Sequence, residues 1–196
     1  MALCTAELTA NMLLDCDNLP IAGLEVNAWI FNKQDVDRSA VTFDVTNDVL
    51  MTNFQLLSTK VGFKIEGIKQ SNAKNYSLAV KENSFNKWVH QFNGIVFNPT
   101  AANKQQINNL SKDGRYVVII EQLWKGAGDA SAFEVFGYGV GLKLTESVNN
   151  SVENDNGISF TLASEAGYEE QSVPYTLLET DYATTKTAFD NGFPQV

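Results

Sequence analysis

The sequence predicts a mainly β fold, a β-sandwich or a partly closed β-barrel, with one or two short flanking helices. Three observations predict it. Short segments alternate apolar and polar residues at the two-residue period of a strand, a central run is apolar on both faces, and two stretches alone carry helix caps.

The elements follow in chain order. Residues 25–31 set Val26, Ala28 and Ile30 against Asn27, Trp29 and Phe31, with apolar groups on both faces towards the end. Alternation is cleaner at Val41, Phe43 and Val45, at Val61, Phe63 and Ile65, at Tyr76, Leu78 and Val80, and cleanest at Ile158, Phe160 and Leu162. Residues 87–92 read as a strand or an amphipathic turn. The run Tyr116-Val-Val-Ile-Ile120 has no polar face, which marks a central strand. It breaks at Lys125-Gly-Ala-Gly-Asp129 and returns over 133–144 as the second arm of a long hairpin. Gly137, Gly139 and Gly141 share one face of that return, which implies a bend or the close approach of another backbone. A phosphate-cradling loop would need these glycines between a strand and a helix, not inside a strand.

Thr100 caps a predicted helix over Ala101–Leu110, and Ile107 and Leu110 give it a thin apolar stripe. Asp181 caps a second over 182–189, stopped by Asn191-Gly192. The total is about nine strands. Two segments read as projections. Residues 145–156 (TESVNNSVENDN) are polar and acidic, as a long hairpin connection would be. Residues 47–57 are apolar without a clean period. They form either a buried strand or an arm in which Val49, Leu50, Met51 and Phe54 contact another subunit.

A chain of 196 residues suits one domain and buries a core without staples. Its net charge of −9 argues against nucleic-acid and anionic-lipid surfaces, both of which need clustered Lys and Arg. Residues 145–196 hold nine acids and the single base Lys186, so nearly all the imbalance lies there. Either this quarter is a solvated acidic face, or Glu165, Glu169, Glu170, Glu179 and Asp181 line a channel that repels passing DNA. Cys4 and Cys16 do not make a disulfide framework and read as free thiols. The first residues show no signal-peptide pattern, and no apolar run is long enough to span a membrane. A β-rich chain made in a cytoplasm without an export signal suits a component of a virion.

No catalytic constellation emerges. His90 is the only histidine, and its neighbours give it no nucleophile to serve; it reads as structural. Three His and Cys residues spread over ninety positions do not supply a zinc site, and no Asp spacing matches an EF-hand. No cofactor motif is present. Trp29, Trp88 and Trp124 have apolar neighbours and suit core packing better than a sugar-stacking platform.

The stretch 114–144, GRYVVIIEQLWKGAGDASAFEVFGYGVGLKL, resembles a segment of virion structural proteins of tailed phages, particularly those of Bacteroides-like hosts. In those proteins a strand ending in an aromatic and Lys leads through a Gly/Ala/Ser loop into an F-E-V-x-G strand and a G-L pair. The GISFTLAS segment at 157–164 is similar to their ends. The resemblance covers about a third of the chain and carries no catalytic residue. It implies a tail-tube or tail-ring subunit in a homo-oligomeric ring around a DNA channel. Its partners would be further copies of itself and other virion proteins, with DNA as non-specific cargo and no membrane. A capsid-decorating head protein and a carbohydrate- or receptor-binding β-sandwich module are the competing expectations.

Overall fold

The structure is a computed structural model that describes Leu8 and residues 10–194, so Cys4 lies outside the described residues. Eleven strands and two helices follow one another: β1 (Leu24–Asn32), β2 (Thr42–Phe43), β3 (Leu50–Asn53), β4 (Phe63–Glu66), β5 (Ala73–Ala79), β6 (Lys87–Val96), α1 (Ala101–Leu110), β7 (Tyr116–Gln122), β8 (Phe133–Phe136), β9 (Lys143–Asn149), β10 (Ile158–Ala163), β11 (Tyr175–Leu177) and α2 (Tyr182–Asp190). They form a seven-stranded sheet, ordered β2-β3-β11-β8-β7-β1-β4, and a four-stranded sheet, ordered β5-β6-β10-β9. Both sheets are open, so the fold is sandwich-like and mainly β, with two flanking helices.

The doubly apolar strand sets the layers. β7 pairs with β1 on one side and β8 on the other, near the middle of the large sheet. Its odd residues Val117 and Ile119 join Phe31, Phe54, Phe133, Phe189 and Phe193 in a core closed by α2. Its even residues Tyr116, Val118 and Ile120 face the small sheet and pack with Phe92, Phe136, Leu142, Phe160 and Leu162. Each buried Phe or Ile contributes roughly 1.5–3 kcal/mol of transfer free energy, which explains why this strand has no polar face.

Both helices start where their caps stand. The Thr100 hydroxyl accepts from the Asn103 N–H at 3.2 Å, and the Asp181 carboxylate accepts from the Thr184 N–H at 2.7 Å. Helix α1 buries no residue fully and rests Ile107 and Leu110 on the inter-sheet core, whereas α2 buries Thr185 and Phe189.

Three expectations need correction. Residues 47–57 contain a strand, not an arm. β3 pairs in parallel with β11, a three-residue strand the alternation could not reveal, with Leu50 opposite Thr176 and Met51 opposite Leu177. Met51 and Phe54 are buried in their own subunit. Val49 and Leu50 are half-buried, and the Val49 carbonyl accepts from the Thr176 N–H. These four residues are therefore not an inter-subunit arm. The hairpin return also breaks, because Gly137 and Gly141 adopt left-handed φ of 73° and 96°. The chain there leaves the large sheet after β8 and enters the small sheet as β9. A Cβ on Gly137 would lie 2.7 Å from the Tyr116 carbonyl, so the close backbone approach expected there is present. Finally, the polar connection after residue 145 is shorter than expected, since β9 continues to Asn149.

Candidate functional site

The glycine crossover brings together residues far apart in the chain. The Glu170 carboxylate is buried and accepts from the N–H groups of Val140 at 2.8 Å and Gly141 at 3.0 Å. A Cβ on Gly139 would run into the Glu170 carboxylate and push it aside. His90 lies beneath, buried edge-on against Phe136. Its Nδ1 accepts from the Gly137 N–H at 3.2 Å, which places the ring proton on Nε2, 2.9 Å from the Ser172 carbonyl. Burial holds this imidazole below the usual histidine pKa, against the opposing pull of Glu170. With both nitrogens bonded to backbone, the ring has no lone pair to offer a substrate. The cluster is a lock on the crossover.

A second titratable cluster joins β7 to α2. Buried Glu121 accepts from Tyr182 at 2.8 Å and pairs with Lys125 at 2.9 Å and Lys186 at 3.6 Å. Burial disfavours the charge on Lys125, but its bonds to Tyr182 and Glu121 outweigh that and raise its pKa. Burial raises Tyr182 as well. Neither Lys125 nor Tyr182 deprotonates near neutral pH, so neither serves as a general base there. Among the described residues, no three His, Cys, Asp or Glu side chains are grouped to hold a metal.

The acidic quarter divides into used and unused charge. Glu169 is buried against Lys81, and that bond with the Gly167 N–H holds its pKa at about 2. Glu169 and Glu170 therefore cannot line a channel surface. Glu165 pairs with Arg115 at 2.9 Å and Lys143 at 3.1 Å. Glu179 is half-buried with its carboxyl pKa pushed up by burial, and Asp181 is occupied as the α2 cap. The predicted acidic surface is thus dispersed. Among the described residues, the acids of this quarter that stay exposed with no cation within ion-pair distance include Glu146, Glu153 and Asp155, where β9 meets β10. Lys33, Arg38 and Arg115 concentrate the opposite charge around a cleft of about 480 Å³.

Exposed apolar residues stand at two sheet edges and ahead of β1. β4 ends the large sheet, and next to it opens a groove of about 840 Å³ between that edge, the end of β6 and α1. Phe63 and Ile65 stand opposite Ile30 and Ala28, which places them on the face of the inter-sheet core. Phe63 is nevertheless 50% exposed, because no strand follows β4 to cover it. The groove is floored by Ile65, Val96, Ile107 and Leu110 and rimmed by the amides of Asn98, Asn103, Gln106 and Asn109. Ahead of β1, Met12, Leu13, Leu14, Leu19 and Ile21 are all exposed, Met12 by 85% and Leu13 by 83%. Residues 11–23 form no helix or strand. Sequence reasoning missed this segment because it tested the N-terminus only for an export signal; the untidy apolar run at Met12-Leu-Leu14 was the available clue. A third apolar group, Tyr76, Leu78, Val80 and Phe85, stands exposed along β5 and the turn after it.

The tryptophans do not form a platform. Trp29 stacks with Phe31 beside Gly192, Trp88 leans on Tyr76, and Trp124 donates to the Asn18 carbonyl at 3.0 Å. No helix of the described residues is long and apolar enough to cross a membrane. Compared with known proteins, the chain matches no family model, no curated protein and no solved structure.

Proposed function

We propose that this chain is a structural subunit of a phage tail tube or tail ring, assembling through its sheet edges into oligomeric rings. The observation that carries the reading is the concentration of unpartnered apolar surface at those edges. Phe63 and its groove lie beside β4, and Tyr76, Leu78, Val80 and Phe85 lie along the edge strand β5. A folded monomer gains nothing from leaving such patches in water, and open edges are templates for pairing with another chain. The titratable clusters support the same reading, since each is spent on holding elements together. The resemblance of residues 114–144 to tail structural proteins supplies the particle, and a virion location with other virion proteins as neighbours follows from it. DNA would pass through as non-specific cargo.

The test is the assembly state across concentration, by native mass spectrometry and negative-stain micrographs. Closed rings of one chain type are the expected result. A monomer at every concentration, including in the presence of tail proteins from the same particle, would overturn the reading.

A further inference from the structure

We propose that residues 10–14 of one copy, ahead of the Asn18 anchor, dock as an added strand in the β4 groove of a second copy. The inference rests on the assembly reading above and names the surfaces that meet. Two unpartnered features explain one another. The segment presents Met12, Leu13 and Leu14 to water with no regular structure of its own. The groove presents an apolar floor and, along β4, a strand whose outer edge has no neighbour. An extended guest strand satisfies both, with main-chain hydrogen bonds to β4 and alternate side chains in the open end of the inter-sheet core. The side chains of Asn98 and Gln106 line the same groove and can supply rim partners to a guest backbone.

Geometry points to a second copy rather than to the chain's own groove. The chain that follows the segment is tied down at the far end of β1, where the Asn18 carbonyl accepts from Trp124 and the Gly23 carbonyl from the Leu123 N–H. The far end of the groove, at Ile30 and Phe63, lies six residues along β1 from Leu24, or about 20 Å at strand rise, and its near end at Ile65 stands opposite Ala28. β7, which carries the anchor, lies on the opposite side of β1 from β4, adding further distance. Leu14 is four residues from Asn18 and reaches at most about 14 Å, and Leu13 about 18 Å. With the anchor in place, these side chains fall short of their own Phe63. An arm whose Leu13 and Leu14 fall short of their own Phe63 and dock on the next copy makes a head-to-tail contact, which builds rings when the rotation closes.

Two full-length variants test this. Met12→Ser/Leu13→Ser/Leu14→Ser removes the guest, and Phe63→Glu places a charge in the host groove. Circular dichroism confirms that both are folded. Each variant alone should self-associate at least tenfold more weakly than the unaltered chain. An equimolar mixture should form pairs and stop there, because one partner supplies the only intact arm and the other the only intact groove. Undiminished assembly by the arm variant would overturn the docking while leaving the assembly reading standing. If the unaltered chain is monomeric, a fluorescent peptide of residues 8–23 decides. Saturable binding to the arm variant, abolished by Phe63→Glu, supports docking, and no binding overturns it.

Discussion

Two apolar segments of this chain, 49–54 and 12–21, have opposite fates. The first, with Val49, Leu50, Met51 and Phe54, has the composition of an arm, yet Met51 and Phe54 are inside the core and Val49 and Leu50 are half-buried. The second, with Met12, Leu13, Leu14, Leu19 and Ile21, has similar residues and is in water. Hydrophobicity does not distinguish them; available backbone partners do. β3 has β2 on one side and β11 on the other, so its main chain is bonded in both directions, and Phe54 just past its end packs against Phe31 and Phe193. The 12–21 segment is held by Asn18 to Trp124 and has no strand beside it. Here the apolar stretch with strand partners on both edges is the one that joined the core.

The largest effect that could break this comparison is on Phe54. Its ring sits 5.2 Å from the centroids of both Phe31 and Phe193 and is 3% exposed. Phe54→Ala should destabilise the fold by about 3–5 kcal/mol, through lost burial and the cavity left behind. Urea unfolding with an unchanged m-value checks it. A loss under 1 kcal/mol would mean that this segment is an arm after all.

Next in size is the lock on the crossover. Glu170→Ala strips the N–H groups of Val140 and Gly141 of their acceptor inside the protein. Leaving a buried donor such as the Gly141 N–H unpaired costs roughly 1–3 kcal/mol, and hydrogen exchange at those two amides should rise most. Unchanged exchange there would show that the turn holds itself without the carboxylate.

Acid then separates two groups in the same region. His90 is kept neutral by burial, so the unfolded chain takes up a proton near pH 6.5 that the folded chain refuses until lower pH. Protons therefore favour unfolding, and stability should start to fall as pH drops below about 6.5. Glu169, held at about 2, contributes above its ordinary value of 4.5, and that contribution is lost between 4.5 and about 2. The melting temperature should decline in two stages. His90→Gln, which can still donate to Ser172, should abolish the first and leave the second; a persisting first stage would assign it to another group.

These residues also show what was legible in the sequence. Alternation located β1, β4, β5 and β10, and the caps at Thr100 and Asp181 located both helices, because these signals are local. β11 was not legible, since three residues cannot show a period and its partner β3 is about 120 positions away. The crossover at Gly137–Gly141 was visible as glycine, but the switch between sheets depends on Glu170, thirty positions on. Charge counting flagged five acids as one surface. Pairing with Lys81, Arg115 and Lys143, and capping of backbone amides, divided them among separate tasks. Of the docking surfaces, the groove was hidden because its walls come from β4, β6 and α1, which only the fold assembles.

The smallest expected effect carries the most information about the second segment. In the dissociated chain, Met12, Leu13 and Leu14 belong to neither core cluster and are mostly exposed, so replacing all three by Ser removes little buried surface. Exposed substitutions of this kind usually change stability by no more than about 0.5 kcal/mol each. The triple variant should therefore melt at nearly the same temperature as the unaltered chain under dilute, dissociating conditions. At assembling concentrations the unaltered chain should melt higher, because burial of the arm in a neighbour adds a concentration-dependent contribution that the variant lacks. The divergence of the two melting curves with concentration measures what the arm contributes to contacts between copies. Equal melting temperatures at every concentration would place the 12–21 segment outside both the core and the assembly contacts, and the contrast with β3 would then be one of burial alone.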